Sequence, residues 1–136
     1  MRTVVLDNEA VQALLDAGHP KHRTVIAHVA GVVTRRQRGP SVEIVVPTAV
    51  RVEAGWDRSD PSAATANRLR VRDEHLDTPS ANLAARIRIA RDVSVADAHA
   101  GAVMRTLTTD DVVVLTSDVG DMERVAAPRR ITAVRI

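Results

Sequence analysis

The chain contains no cysteine, phenylalanine or tyrosine, and Trp56 is its one tryptophan. Without cysteine, disulfides and thiolate metal sites are excluded. So few aromatics argue against the base-stacking sheets with which RRM and OB-type domains hold single strands. Lysine is almost missing as well: Lys21 stands alone beside eighteen arginines. Guanidinium groups pair bidentately with phosphates, so the surface is compatible with nucleic acid, although a GC-rich coding bias explains the same preference. The formal net charge is a mild +2. No apolar run approaches the roughly 20 residues of a membrane span. No glycine-rich phosphate loop follows an apolar run, and there is no internal repeat, linker or low-complexity stretch. The N-terminus meets acid at Asp7, too early for a signal peptide. These absences lead us to expect one cytoplasmic domain over residues 1–136, long enough to bury its own core.

The chain does contain a repeated pattern of apolar runs that end in polar oxygen. Val112-Val113-Val114-Leu115 runs out into Thr116, Ser117 and Asp118, with Asp121 three residues on. Val4-Val5-Leu6 runs out into Asp7 and Asn8, and Ile44-Val45-Val46 into Pro47-Thr48, with Glu53 a little further along. Continuous β-branched runs bounded by turn chemistry suit central strands of a parallel sheet. Strands are therefore expected at Arg2–Leu6, Val42–Val46, Val112–Leu115 and Ile131–Ile136, with a short strand or loop near His75-Leu76-Asp77.

Helices are expected between them. One is capped by Asp7 and Asn8 over Val11, Leu14 and Leu15. A second starts near Lys21, carries Val25, Ile26, Val29, Val32 and Val33 inward, and ends in Arg35-Arg36-Gln37-Arg38 before Gly39-Pro40. Pro47 suits the first turn of a third, which carries Val50, Glu53 and Trp56 on one face. Others begin at Asp60-Pro61 and at Pro79-Ser80, the latter running through Leu83, Ile87 and Ala90. Ser94-Val95-Ala96-Asp97 has the form of a capping box, with Asp in place of Glu, for a helix over Ala98–Leu107. A short helix is expected around Met122–Val125. The pattern describes a three-layer α/β/α domain around a central, mostly parallel sheet.

Singly, the acidic residues have dull explanations. Asp7, Asp97 and Asp118 could each be only a helix cap or a capping partner, and Glu53 a solvated helix residue. Together they gain meaning, because parallel strands would bring all four to one sheet edge, where α/β domains bind ligands. At about 5 Å and an effective dielectric near 20, each carboxylate pair repels by roughly 3 kcal/mol. Such a cluster must hold protons or a divalent cation, and oxygen-only ligands select Mg²⁺ or Mn²⁺. A metal so held can ionise water and neutralise the leaving oxygen of a phosphodiester. Asn8, Thr116 and Ser117 could orient carboxylates or waters from behind.

In order, Leu6-Asp7, Pro47-Thr48-Ala49-Val50-Arg51-Val52-Glu53, Val95-Ala96-Asp97-Ala98-His99 and Thr116-Ser117-Asp118 resemble a PIN domain. The similarity is greatest to the short toxins of bacterial toxin–antitoxin pairs (VapC-type), and it covers the chain from Val4 to the terminal strand. It implies a Mg²⁺- or Mn²⁺-dependent endoribonuclease, often a homodimer, neutralised by a small antitoxin. Carried over by motif, Asp7, Glu53, Asp97 and Asp118 become the catalytic, metal-binding quartet, with Thr116 and Asp121 as accessories. The chain departs from the pattern at three places. Glu9 adds charge after the first aspartate, Val119-Gly120 replaces a Pro-Asp-like turn, and Arg86-Ile87-Arg88-Ile89 lacks a glycine often found there.

The competing readings fare less well. A phosphoacceptor receiver wants a lysine after a late strand, and Lys21 is too early. A haloacid-dehalogenase phosphatase wants Asp-x-Asp after the first strand, where this chain has Asp7-Asn8-Glu9. The histidines His19, His22, His28, His75 and His99 form no zinc-binding spacing. His99, two residues past Asp97, reads as a partly buried structural residue, and Trp56 as core or dimer-interface packing. A non-catalytic PIN-like RNA- or protein-binding module and a DNA-directed nuclease remain as alternatives to an enzyme acting on RNA.

Overall fold

A computed structural model describes residues 1–38 and 41–136, with the side chains of 33–38 outside the description. Five parallel strands form one sheet: β1 (Arg2–Leu6), β2 (Val42–Pro47), β3 (Val71–Glu74), β4 (Asp111–Thr116) and β5 (Thr132–Arg135), in the order β3-β2-β1-β4-β5. Around it lie α1 (Asn8–Leu15), α2 (His22–Arg38), α3 (Thr48–Ala54), α4 (Ala64–Asn67), α5 (Thr78–Arg91), α6 (Val95–Thr106) and α7 (Val119–Ala126). This is the α/β architecture that the sequence pattern predicts. The arginine tail Arg35, Arg36 and Arg38 ends α2, with its side chains outside the description, and the Gly39-Pro40 break lies outside the described residues.

The central strands are buried on both faces, which is why they read as unbroken apolar runs rather than alternating ones. Val5, Val45 and Val114 are fully buried side by side, and Val4, Ile44 and Val113 form the layer on the other face. Each buried valine contributes about 1.5–3 kcal/mol of transfer free energy. The register that aligns them, Leu6 beside Leu115, sets Asp7 next to Thr116 at the carboxyl edge. From β1 the chain steps outward through β2 and β3, then returns to place β4 on the opposite side of β1. That reversal opens a crevice beyond the carboxyl ends of β1 and β4, the place where open α/β sheets bind ligands.

Two local expectations meet different outcomes. Of the short strand or loop expected near His75–Asp77, the loop is what forms, leading into α5 with Asp77 as its N-cap, and the strand, β3, lies just ahead at Val71–Glu74. A charged edge strand hides from a hydrophobic reading: Arg72 pairs with Glu43 and Glu74, and only Val71 is buried. Trp56 does not share a helical face with Glu53. The helix α3 ends at Ala54, Gly55 turns the chain with φ +74°, and Trp56 folds back into the core.

Candidate active site

Asp7 stands one residue past β1 and is 6% exposed. One of its carboxylate oxygens accepts from the Ala10 N–H at 2.8 Å, which caps α1. Burial pushes the Asp7 carboxyl above the ordinary carboxylate range, more than a hydrogen bond from Thr116 and that from Ala10 pull it down. The Thr116 hydroxyl is fully buried and also accepts from the Asp118 N–H at 2.9 Å. One hydroxyl therefore ties the end of β1 to the end of β4.

Asp97 lies in the first turn of α6, where the Ser94 hydroxyl accepts from its N–H at 3.1 Å, as the capping box predicts. Its carboxyl is pushed up by partial burial first, then by the negative charges of Glu53, Asp7 and Asp121. Four acidic residues from α1's cap, α3, α6 and α7 thus share one electrostatic neighbourhood. Asp118 sits at the same strand end, but its carboxylate accepts from the Asp121 N–H at 3.0 Å and caps α7. The dull reading of Asp118 as a cap is realised, and Asp121, expected only as an accessory, is the residue whose charge reaches Asp97.

Among the described residues, no three acidic or histidine side chains are gathered into a formed metal-binding group. Like charges with nothing between them stay apart, so the geometry describes carboxylates near one another rather than a closed ligand set. The donor set still fits a hard divalent cation: it is all oxygen, and among the described residues Asp7, Glu53, Asp97 and Asp118 enter no ion pair. The buried Asn8 Oδ1, beside Asp7 in the chain, has no hydrogen-bond partner and adds a further oxygen with nothing to accept from. Glu9, the extra charge in the motif, is drawn off to His19 Nε2 at 3.1 Å and Lys21 Nζ at 3.7 Å. Ser117 offers its carbonyl to Arg135 at 3.0 Å.

Two neighbours are structural. His99 is fully buried, and its Nδ1 accepts from the Ala49 N–H at 3.2 Å, fixing α6 against the start of α3. Burial keeps its ring neutral by lowering its pKa. Beside Glu53, a depression of about 440 Å³ is lined by Thr48, Val52, Leu76 and Val95. Val52 is 82% exposed there, an apolar surface that sequence periodicity did not single out.

The five-stranded parallel sheet and its flanking helices have a PIN-like α/β fold, as the solved structures that share it show. Solved structures of the same fold include the Mycobacterium tuberculosis VapC20, described as a sarcin–ricin loop cleaving toxin, at 23% identity and TM-score 0.62 over 92% of this chain and 95% of that one. FitAB bound to a DNA fragment matches at 15% identity and TM-score 0.61 over 97% and 94% of the two chains. VapBC2 from Rickettsia felis, bound to a DNA fragment from its promoter, matches at 10% identity and TM-score 0.56 over 97% and 98%. No protein-family model matches the chain, and no curated protein does. At these identities the likeness is one of fold.

Proposed function

We propose that the chain is a metal-dependent endoribonuclease, the toxin of a toxin–antitoxin pair. The observation that carries this reading is the buried Asp7, held by Thr116, in the same electrostatic neighbourhood as Asp97, Glu53 and Asp121. Charge of one sign is costly to gather, and helix capping accounts for Asp7 and Asp118 but not for Glu53. Asp7, Glu53, Asp97 and Asp118 would hold Mg²⁺ or Mn²⁺, with Asp121 close enough to join or replace Asp118. Such an ion, when bound, supplies a water of lowered pKa and a counter-charge for the leaving oxygen.

The chain's own contribution is orientation. Thr116 donates to Asp7 and so directs that carboxylate's free oxygen, while Ser94 and α6 fix where Asp97 starts. Asn8 Oδ1, buried and unpartnered beside Asp7, can accept from an enclosed water. RNA as substrate is supported by the shared fold with VapC20, a toxin described as cutting an RNA loop. A cognate antitoxin and a homodimer are part of the same proposal. The exposed Val52 and Val95 beside the acids give a protein partner apolar footing.

Cleavage of a structured RNA pool, with Mn²⁺, Mg²⁺ or EDTA, tests this. Wild type should cut only with metal, and Asp7→Asn, which keeps the cap to Ala10, should be at least about a hundredfold slower. Equal cutting by the variant, or cutting in EDTA, would refute the assignment.

A further inference from the structure

A second concentration of charge, of opposite sign, lies on α5 and at the far end of α6. The helix α5 packs inward through Ala84 and Ile87, both buried, which leaves Arg86, Arg88 and Arg91 exposed. Arg105, in the last turn of α6, is anchored by its Nε, which donates to the Val125 carbonyl at 2.9 Å. That bond uses Nε, and Arg105 makes no other hydrogen bond among the described residues. Among the described residues, Arg86, Arg88, Arg91 and Arg105 enter no ion pair with a carboxylate. Arg105 instead feels the positive charges of Arg91 and Arg86, which together with burial lower its pKa. Helix dipoles account for arginines in a last turn, hence for Arg88, Arg91 and Arg105. They do not account for Arg86, in the body of α5.

We propose that this arginine surface binds the phosphodiester backbone of the RNA that the acidic edge cuts. The inference rests on the ribonuclease reading and names where its substrate is held. An edge lined with carboxylates repels a polyanion, so attraction has to come from close by. Asp97 and Arg105 are eight residues apart on one helix, about 12 Å along its axis, beyond the roughly 8–10 Å screening length at physiological salt, so the arginines act by direct contact with phosphates flanking the edge. Guanidinium forks match phosphate oxygens in pairs, and a protein partner would want an apolar centre, which α5 offers only at Ile89.

The test is binding, so it does not need cleavage. A fluorescein-labelled RNA hairpin is titrated with Asp7→Asn protein, carrying or lacking Arg86→Glu with Arg91→Glu, in Mg²⁺ over a range of salt. Thermal midpoints are recorded in parallel to show that the variants are folded. The same two-charge change at Arg68 and Arg70, exposed ahead of β3, is the control. The patch variant should bind about tenfold more weakly and lose roughly 1.4 from the slope of log affinity against log salt, two phosphates at about 0.7 each. In the cleavage-competent background KM should rise with kcat unchanged. Affinity within twofold of the parent, or an equal loss in the Arg68/Arg70 control, would overturn the proposal. So would unchanged RNA affinity alongside lost binding of an acidic peptide, which would give the surface to a protein. RNA that binds through the patch yet is never cut would refute the nuclease reading alone.

Discussion

Two regions of this molecule gather charge, and they do so in opposite ways. At the β3 edge, Asp73 accepts from Arg51 at 2.7 Å and from Arg58 at 2.8 Å. Arg58 lies 4.2 Å over the Trp56 ring and donates to the Val71 carbonyl at 2.7 Å. Trp56 itself donates to Asn67 at 3.2 Å. Every charge in that knot has a counter-charge, a ring face or a carbonyl. At the β1–β4 edge, the negative charges of Glu53, Asp7 and Asp121 bear on Asp97, and among these four only Asp121 has an ion pair within the described residues, an exposed one to Arg124 at 3.2 Å. The first arrangement serves folding, since unpaired half-buried charge would weaken it. The second raises the Asp97 carboxyl and so costs stability at neutral pH.

That contrast can be broken by substitution. The largest effect should come from Thr116→Val, which keeps the shape but removes the hydroxyl between Asp7 and the Asp118 N–H. RNA cleavage should fall by roughly 10–100-fold, the usual cost of losing a group that orients a ligand. Wild-type rates in Thr116→Val would mean the hydroxyl only fills space. Next, Asp73→Ala leaves two half-buried guanidiniums unmatched and should lower unfolding free energy by roughly 2–4 kcal/mol in denaturant titrations. Cleavage per folded molecule should hold steady, and a loss there instead would place the knot in the active machinery.

The smallest effect runs the other way. Because the Asp97 carboxyl is raised, the folded chain holds that proton more tightly than the unfolded chain does. Stability therefore falls as pH rises from about 3.8, the ordinary value, through the raised one, and stays lower above it. In EDTA, Asp97→Asn should stabilise the protein at neutral pH by about 1 kcal/mol or less. The gain should vanish as pH falls towards 4. A destabilised Asp97→Asn at neutral pH would show that the acidic edge is not frustrated after all.

Much of this was legible in the residues because the signals were local. Val4–Leu6 and Val112–Leu115 announced buried strands, and Ser94 with Asp97 announced a helix start. Asp7 could be placed because the hydroxyls and acids after each run recur in the same position. Charge hid what remained. β3 is a strand of Val71 and three charged residues, readable only once Glu43 is known to lie beside Arg72. Trp56 was set on the wrong element because spacing of three suggests one helical face, whereas Gly55 ends the helix between them. Asp121's reach to Asp97 depends on how α7 meets α6, and no periodicity encodes that.

The meeting of α6 and α7 turns on Gly101. A Cβ there would sit 2.8 Å from the Val125 carbonyl oxygen and 2.9 Å from the Val125 Cβ, so only hydrogen fits the seam. The same carbonyl receives Arg105. Asp97 rides on one side of this seam and Asp121 on the other, so a missing carbon acts as the gauge block that spaces two mutually repelling anions. Backbone in contact with backbone cannot rotate away as side chains do. The spacing between the two carboxylates is thus machined by packing about one turn below them.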